Sequence, residues 1–475
     1  MTNAAKRPSG GSSNSKSVKR AARLSTPVSP TSADRGYPRI VVPPPGPRGR
    51  EIIARDKKFA STSYIKAYPL VIARGEGAMV EDADGNRFID WMAGIAVAST
   101  GYAHPKVVEA VRQSAGDFFS MCSTDWYYDN FSAVLERLAK IAPGSSKKRV
   151  FLTNSGTEAV EGAIKLCRNY DGRKSIIAFK GAFHGRSYGA MSLTSSKVKQ
   201  RASFGPFLSG VYHEEYADPY RTTFDASRFK DAGEACVAHI EEDLFQRAVP
   251  PEDVAAIFIE PMLGEGGYIL PPKSFLRGLR ALCDEYGILL VCDEIQSGVG
   301  RTGKMWACEH AGVEPDVLLS AKGLASGMPL GAIIAKESVM KWEGGSHGST
   351  FGGNNVACAA ALATLDLIEN EYMPNARKMG ARLMEGLKKL QRKFSCIGDV
   401  RGEGLFIGVE FVKDRKTKVP AKQLVDDIMQ RGFRNGLLLL SCGSSTIRVA
   451  PPLCLDEYDV DAGLKIFEKT IAELT

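Results

Sequence analysis

The sequence predicts an α/β protein: a large, mostly parallel sheet covered by helices on both faces, followed by a smaller α+β domain. Three observations carry this. From about residue 145, short β-branched apolar runs alternate with helix-period segments, the pattern of a parallel sheet buried on both sides. Beyond residue 346 two long helical stretches, 355–370 and 375–394, precede a short strand run at 404–411. At 475 residues the chain is long enough for both bodies.

Taken in order, residues 1–45 read as a disordered basic and Pro-rich tail. The first 35 are Ser-, Lys- and Ala-rich with almost no apolar content, and Pro43-Pro44-Pro45-Gly46-Pro47 makes a stiff linker. Residues 46–100 are expected to be an N-terminal segment joining the small domain, 101–345 the large domain, and 346–475 the C-terminal small domain. Within the large domain, strands are expected at 149–152, 175–179, 254–259, 288–292, 317–320 and 330–335, with helices at 158–169 and 273–285. No internal repeat is present.

The net charge of +8 is concentrated in the tail. The first 50 residues hold ten Lys and Arg against Asp34 alone; the rest holds 52 basic and 53 acidic side chains. A nearly neutral body argues against nucleic acid as a partner, and no apolar run approaches the roughly 18 residues of a membrane span. Ten cysteines without a CxxC pair read as reduced thiols in a cytoplasmic protein. The alternative is an organellar location, with the acid-poor, Ser- and Arg-bearing tail as a transit peptide; Pro8, Gly10 and Gly11 count against it by breaking an amphipathic helix. Six scattered histidines offer no metal-ligand spacing.

Ligands of open α/β sheets bind past the carboxyl ends of the strands. There the sequence places Asn154-Ser155-Gly156-Thr157-Glu158, Gly181-Ala182-Phe183-His184-Gly185-Arg186, Glu260-Pro261 with Gly264-Glu265-Gly266-Gly267, Asp293-Glu294-Ile295-Gln296, and Ser320-Ala321-Lys322-Gly323. Each has an ordinary reading. Ser155-Gly156-Thr157 caps a helix, Phe183 belongs to a core, and Arg186 is a surface ion-pair partner. Asp293 and Lys322 resist this, because each directly follows an apolar strand where an unpaired charge is costly. One cofactor uses all of them. Pyridoxal 5'-phosphate (PLP) needs an amine for its Schiff base, an acid to hold its pyridine nitrogen protonated, and an anion cup at a helix start.

A nucleotide site fails on context. Gly298-Val299-Gly300-Arg301-Thr302-Gly303-Lys304 satisfies both GxGxxG and GxxxxGK. Its glycines stand too far beyond Cys292 for the tight strand-to-helix turn, and Met305 occupies the position where a P-loop needs Ser or Thr.

From Tyr68 to the C-terminus the chain resembles the class III aminotransferases, a branch of fold-type I PLP enzymes that includes 4-aminobutyrate, ornithine and acetylornithine aminotransferases. The resemblance runs through Asp90-Trp91-Met92-Ala93-Gly94-Ile95-Ala96-Val97, Asn154-Ser155-Gly156-Thr157-Glu158-Ala159, Phe183-His184-Gly185-Arg186 and Ile259-Glu260-Pro261. It continues through Asp293-Glu294-Ile295-Gln296-Ser297-Gly298, Ala321-Lys322-Gly323 and Ser349-Thr350-Phe351-Gly352-Gly353-Asn354.

The resemblance implies a set of roles. Lys322 forms the Schiff base and shuttles the proton; Asp293 pairs with the pyridinium nitrogen. Gln296 lies near the phenolic oxygen, Phe183 stacks on the ring, His184 is among the cofactor-binding residues, and Ser155, Gly156 and Thr157 hold the phosphate. Thr350 reaches the site across a homodimer interface. On the substrate side stand Ile95, Glu260, Arg448 as clamp of an α-carboxylate, Glu265 as the gate that neutralises it, and Arg186 as clamp of the distal carboxylate. The implied reaction moves an amino group from an ω-amino acid, 4-aminobutyrate above all, to 2-oxoglutarate. Acetylornithine, ornithine or lysine donors, and a racemase of the same family, are the alternatives. Two positions depart from the family pattern: Tyr102 where His is frequent, and Asn355 where Pro is usual. Both put the donor preference in question.

Overall fold

The computed structural model describes residues 35–222, 224–225 and 227–475, so the tail at 1–34 lies outside the described residues. Seven strands form the central sheet, in the order Lys148–Thr153, Gly331–Lys336, Val317–Ser320, Leu289–Asp293, Val254–Ile259, Ser175–Phe179, Val211–Glu214. The run from Val317–Ser320 to Val211–Glu214 is parallel throughout, and Gly331–Lys336 is antiparallel to both its neighbours.

Alternation along the strands explains their continuous apolar sequence. Ile257, Ile259, Leu290 and Cys292 join the core with Leu279 and Leu282 of helix Lys273–Tyr286. Their sequence neighbours Ala256, Phe258, Leu289 and Val291 join a second core with Ala163 and Leu166 of helix Gly156–Tyr170. With helices on both faces, neither register position can be polar. The strand the sequence hides is Val211–Glu214, whose Tyr212, His213 and Glu214 break the apolar run. It sits at the sheet's end, where Tyr212 and His213 are half-buried and Glu214 pairs with His239 at 2.9 Å.

Helix Asn355–Leu367 passes through a wider π-turn, Ile368–Tyr372, into helix Met373–Lys393; Pro374 opens the second helix without an N–H to lose. Beyond it, strands Ile397–Glu403, Phe406–Phe411, Thr446–Val449 and Leu440–Cys442 make an antiparallel sheet. A third sheet combines Ile72–Glu76, Met79–Asp82 and Arg87–Asp90 with Leu437–Leu438. Its last pair sews the N-terminal segment to the C-terminal part of the chain.

Residues 36–45, expected within the disordered tail, belong to the body instead. Arg39 bridges to Arg87, and the N–H groups of Val41 and Val42 donate to Asn86 Oδ1 at 2.8 and 3.0 Å. Proline content suggested a disordered tail running into a stiff linker, but the N–H groups of Val41 and Val42 find a buried side-chain acceptor. Helix Pro47–Phe59 then starts on proline, with Asp84 accepting from Arg48 N and Gly49 N at 2.8 Å each.

All ten cysteines are free. Among the described residues, no helix is long and apolar enough to cross a membrane, and no group of His, Cys, Asp and Glu could hold a metal ion.

Candidate active site

Parallel strands deliver their C-terminal residues to one edge, and a cavity of about 490 Å³ opens there. On one side helix Gly156–Tyr170 begins immediately after strand Lys148–Thr153. Ser155 caps it, its Oγ accepting from Glu158 N at 3.4 Å, and Gly156 and Thr157 line the cavity. A side chain at 156 would place Cβ 2.8 Å from Ile295 Cδ1, so glycine keeps the helix start open. The Thr157 hydroxyl is 2.6 Å from Ser187 Oγ. Free N–H groups and the helix dipole make this end attractive to an anion.

Across the cavity Asp293 ends its strand, only 3% exposed. Its Oδ2 lies 2.7 Å from His184 Nδ1, and its Oδ1 accepts from Ile295 N at 3.0 Å. Burial alone would lower the His184 pKa, but the hydrogen bond and charge of Asp293 outweigh it and the net shift is upward.

Lys322 follows strand Val317–Ser320 in a left-handed conformation, φ 45°. Gly323 beside it has no room for a Cβ, which would meet Ser99 Oγ at 2.4 Å. Among the described residues the Lys322 amine takes no hydrogen bond. Burial lowers its pKa, against the opposing charges of Asp293 and Glu260. Desolvation therefore favours a neutral, nucleophilic amine.

A second cavity, about 610 Å³, meets the first along Val97, Phe183, Arg186, Gln296 and Lys322. Its wall carries Ile95, Glu265 and Arg448. Arg448 pairs with Glu265 and donates to Ser441 O at 2.8 Å. Glu265 also holds Lys197, at 2.7 Å. Burial raises the Glu265 pKa, yet Arg448 and Lys197 together hold it below the usual carboxylate range. Arg186 is exposed and shared by both cavities, its guanidinium 5.8 Å from the centre of the Phe183 ring.

Ile95 reaches its cavity from a left-handed turn, with φ 49°, 60°, 70° and 57° at Ala93, Gly94, Ile95 and Ala96. Such a turn costs about 1–2 kcal/mol per non-glycine residue and needs an anchor. Asp90, fully buried, supplies one: its Oδ1 accepts from Met92 N at 2.7 Å and its Oδ2 from the Tyr102 hydroxyl at 2.6 Å. The departure at Tyr102 thus props the turn that carries Ile95. The departure at Asn355 is a clasp, its Nδ2 donating to Ser114 O and Phe118 O and its Oδ1 accepting from Asn130 at 2.8 Å.

The model of the family described as "Aminotransferase class-III" matches residues 61–471. The chain belongs to this family. An alanine/serine racemase of Pyrococcus horikoshii is 41% identical to this class III chain over 92% of it and 93% of the relative. A 4-aminobutyrate aminotransferase of Mycobacterium bovis is 38% identical over 92% of this chain and 98% of its own. Among solved structures, the PLP-bound form of an amine transaminase from an uncultivated Pseudomonas species covers 88% of this chain and 99% of its own, at 30% identity and a TM-score of 0.80. The protein is a PLP-dependent member of the class III aminotransferases with the α/β fold of fold type I.

The residues present fit that cofactor. One cavity holds a buried carboxylate with its own hydrogen-bond support, an amine without a protein partner, and a helix start that glycine keeps open, as the pyridine nitrogen, the aldehyde and the phosphate require.

The structure brings Ser155, Gly156, Thr157, Phe183, His184, Glu260, Asp293, Gln296 and Lys322 to the first cavity, and Ile95, Glu265 and Arg448 to the second. Glu260, expected on the substrate side, accepts with Oε1 from Phe183 N at 2.8 Å and with Oε2 from Gly264 N at 2.9 Å. It braces two loops, and burial pushes its pKa up to about 7. His184, expected among the cofactor-binding residues, lines the first cavity with its Nδ1 2.7 Å from Asp293 Oδ2. Thr350 is exposed and lines neither cavity. Sequence reasoning missed Lys197, the second partner of Glu265, and Tyr268, whose hydroxyl donates to Gln296 Oε1 at 2.8 Å. For Tyr268 the signal was an aromatic residue directly after the Gly264–Gly267 loop.

Proposed function

We propose that this enzyme transfers an amino group from an ω-amino acid, 4-aminobutyrate in first place, to 2-oxoglutarate, yielding a semialdehyde and glutamate in two half-reactions. The observation that carries this reading is the Arg448–Glu265–Lys197 triad at the second cavity. The two substrates differ at one end: 2-oxoglutarate has an α-carboxylate and 4-aminobutyrate has none. When the α-carboxylate is present, Arg448 takes it in a bidentate pair, and Glu265 keeps Lys197 as its counter-charge. When it is absent, Glu265 neutralises Arg448. Arg186 receives the distal carboxylate of either substrate, and Ile95 gives the donor's methylene chain an aliphatic wall. The relative named 4-aminobutyrate aminotransferase supports the same donor.

PLP supplies a carbonyl that exchanges amino groups and a ring that accepts electrons from the neighbouring carbon. Asp293, oriented by His184, keeps the pyridine nitrogen protonated. Phe183 would cover the ring, and the Gln296 amide would serve the phenolic oxygen. Gly156 and Thr157, with Ser155 capping their helix, hold the phosphate. Lys322 would hold the cofactor's carbonyl end, and its buried amine is the group placed to hold or move a proton at the substrate carbon. Thr350 completes the phosphate site of a neighbouring copy, which makes the homodimer the working unit. Its exposure, outside both cavities, supports that assignment.

The 41% identical relative named alanine/serine racemase favours a second reading, in which Lys322 returns the proton to the carbon it left. Mixing holoenzyme with 4-aminobutyrate in the absence of an oxo acid separates the two. A transaminase loses its visible absorption, releases one semialdehyde per site and stalls until 2-oxoglutarate restores the colour with formation of glutamate. An enzyme that keeps its colour and converts L-alanine to D-alanine is a racemase.

A further inference from the structure

We infer that Tyr268 is a positioning residue for the cofactor: its hydroxyl fixes the Gln296 amide so that the amide nitrogen is offered to the cavity as a hydrogen-bond donor. The inference rests on the reading of Gln296 as neighbour of the ring's phenolic oxygen.

Tyr268 is fully buried and cannot swing. It has φ 51°, in the left-handed region that a bulky residue adopts only when its surroundings impose it. Its ring lies flat on Phe406, with centroids 3.8 Å apart and planes 3° from parallel. Strand Phe406–Phe411 admits the ring because Gly408 has no side chain; a Cβ there would come 2.9 Å from Tyr268 Cβ. Arg401 donates to the carbonyls of Gly267 and Tyr268 at 2.7 and 3.0 Å, clamping the backbone as well.

The hydroxyl therefore has one direction, and there it meets Gln296 Oε1 at 2.8 Å. Burial raises the phenol's pKa, so it keeps its proton and must donate. The charged and titratable groups around it are Arg448, 5.7 Å from the ring centre, with Cys442, Arg301 and Glu265. Turning the Gln296 amide over would set its N–H groups against the phenol and leave the phenol's proton without an acceptor, costly at a buried site. The amide nitrogen is thus held on the other side. Among the described residues it has no hydrogen-bond partner, and Gln296 lines both cavities where they meet.

In holoenzyme with the cofactor on Lys322, the ring's phenolic oxygen would share a proton with the nitrogen it faces. When it leaves, the oxygen bears the negative charge alone, and a donated hydrogen bond favours that state. A correctly turned Gln296 therefore lowers the pH at which the visible band changes. The test is a spectrophotometric pH titration of holoenzyme carrying Tyr268→Phe, Gln296→Ala, or both. Phenylalanine keeps the stack on Phe406 and removes only the hydroxyl. The Tyr268→Phe midpoint is expected to rise by roughly half to one pH unit, the worth of one neutral hydrogen bond. Gln296→Ala should raise it at least as far, and the double variant no further than Gln296→Ala alone. An unmoved midpoint in Tyr268→Phe beside a raised one in Gln296→Ala overturns the inference. An additive double variant overturns it too. A midpoint unmoved by Gln296→Ala removes the reading of Gln296 itself, and wild-type protein without a visible band removes the cofactor reading.

Discussion

A guanidinium 2% exposed is costly unless its charge is met, and Arg448 is met by a carboxylate that has somewhere else to go. Replacing Arg448 with alanine removes charge-assisted bonds that only the oxo acid needs. The half-reaction with 2-oxoglutarate should slow roughly 10- to 100-fold in kcat/KM, the worth of bonds to a charged group. The half-reaction with 4-aminobutyrate should change only a few-fold. Stopped-flow absorbance of each half-reaction checks this, and equal losses in both refute the assigned role. At this scale Lys322 and Asp293 were legible because each is a charge abutting an apolar strand. The directions of His184 and Glu260 were not. Their residue types announce polarity, but whether a buried polar group meets ligand, side chain or backbone depends on loops that only the fold brings together. Tyr268 was hidden for the same reason, since Gln296 and Phe406 lie far from it in sequence.

Among the elements, the parallel strands were readable because burial on both faces forces apolar residues at every position. Strand Val211–Glu214 was not, because the sheet's end relaxes that demand. The left-handed turn at Ala93–Ala96 had no sequence signal beyond Gly94; tertiary support from Asp90 and Tyr102 overrides local preference there. The start of helix Gly156–Tyr170 carries the element-level prediction. Gly156→Ala keeps the N–H and raises helix propensity, but drives a methyl into Ile295. Overpacking of about 1–3 kcal/mol should weaken cofactor binding roughly tenfold or more, with the helix intact by circular dichroism. Reconstitution of apo-protein with graded PLP measures it, and unchanged affinity places the phosphate elsewhere.

For the whole molecule, the change of pattern after residue 346 marks where the parallel-rich central sheet gives way to a separate antiparallel one. The sewing of Leu437–Leu438 onto Arg87–Asp90 has no such mark, since two-residue pairings leave no periodicity to read. Phe351 beside Thr350 is 62% exposed, and Phe119, Trp126 and Tyr127 are 71%, 60% and 99% exposed. Exposed aromatic side chains on segments that hydrogen-bond to each other, as 122–128 and 349–353 do, offer a candidate association surface. Light scattering of active enzyme should therefore give about twice the 51.3 kDa of one chain. Thr350→Ala should weaken cofactor retention. Full activity at the mass of a single chain would refute the shared site.

Everything chemical depends on which amine holds the cofactor. Reducing the holoenzyme with borohydride makes that bond permanent, and mass spectrometry of a digest then locates it. The cofactor's mass is expected on the peptide containing Lys322 and on no other lysine. A label on a different lysine, or none on protein that is coloured before reduction, would show that the Lys322 cavity is not where the chemistry occurs.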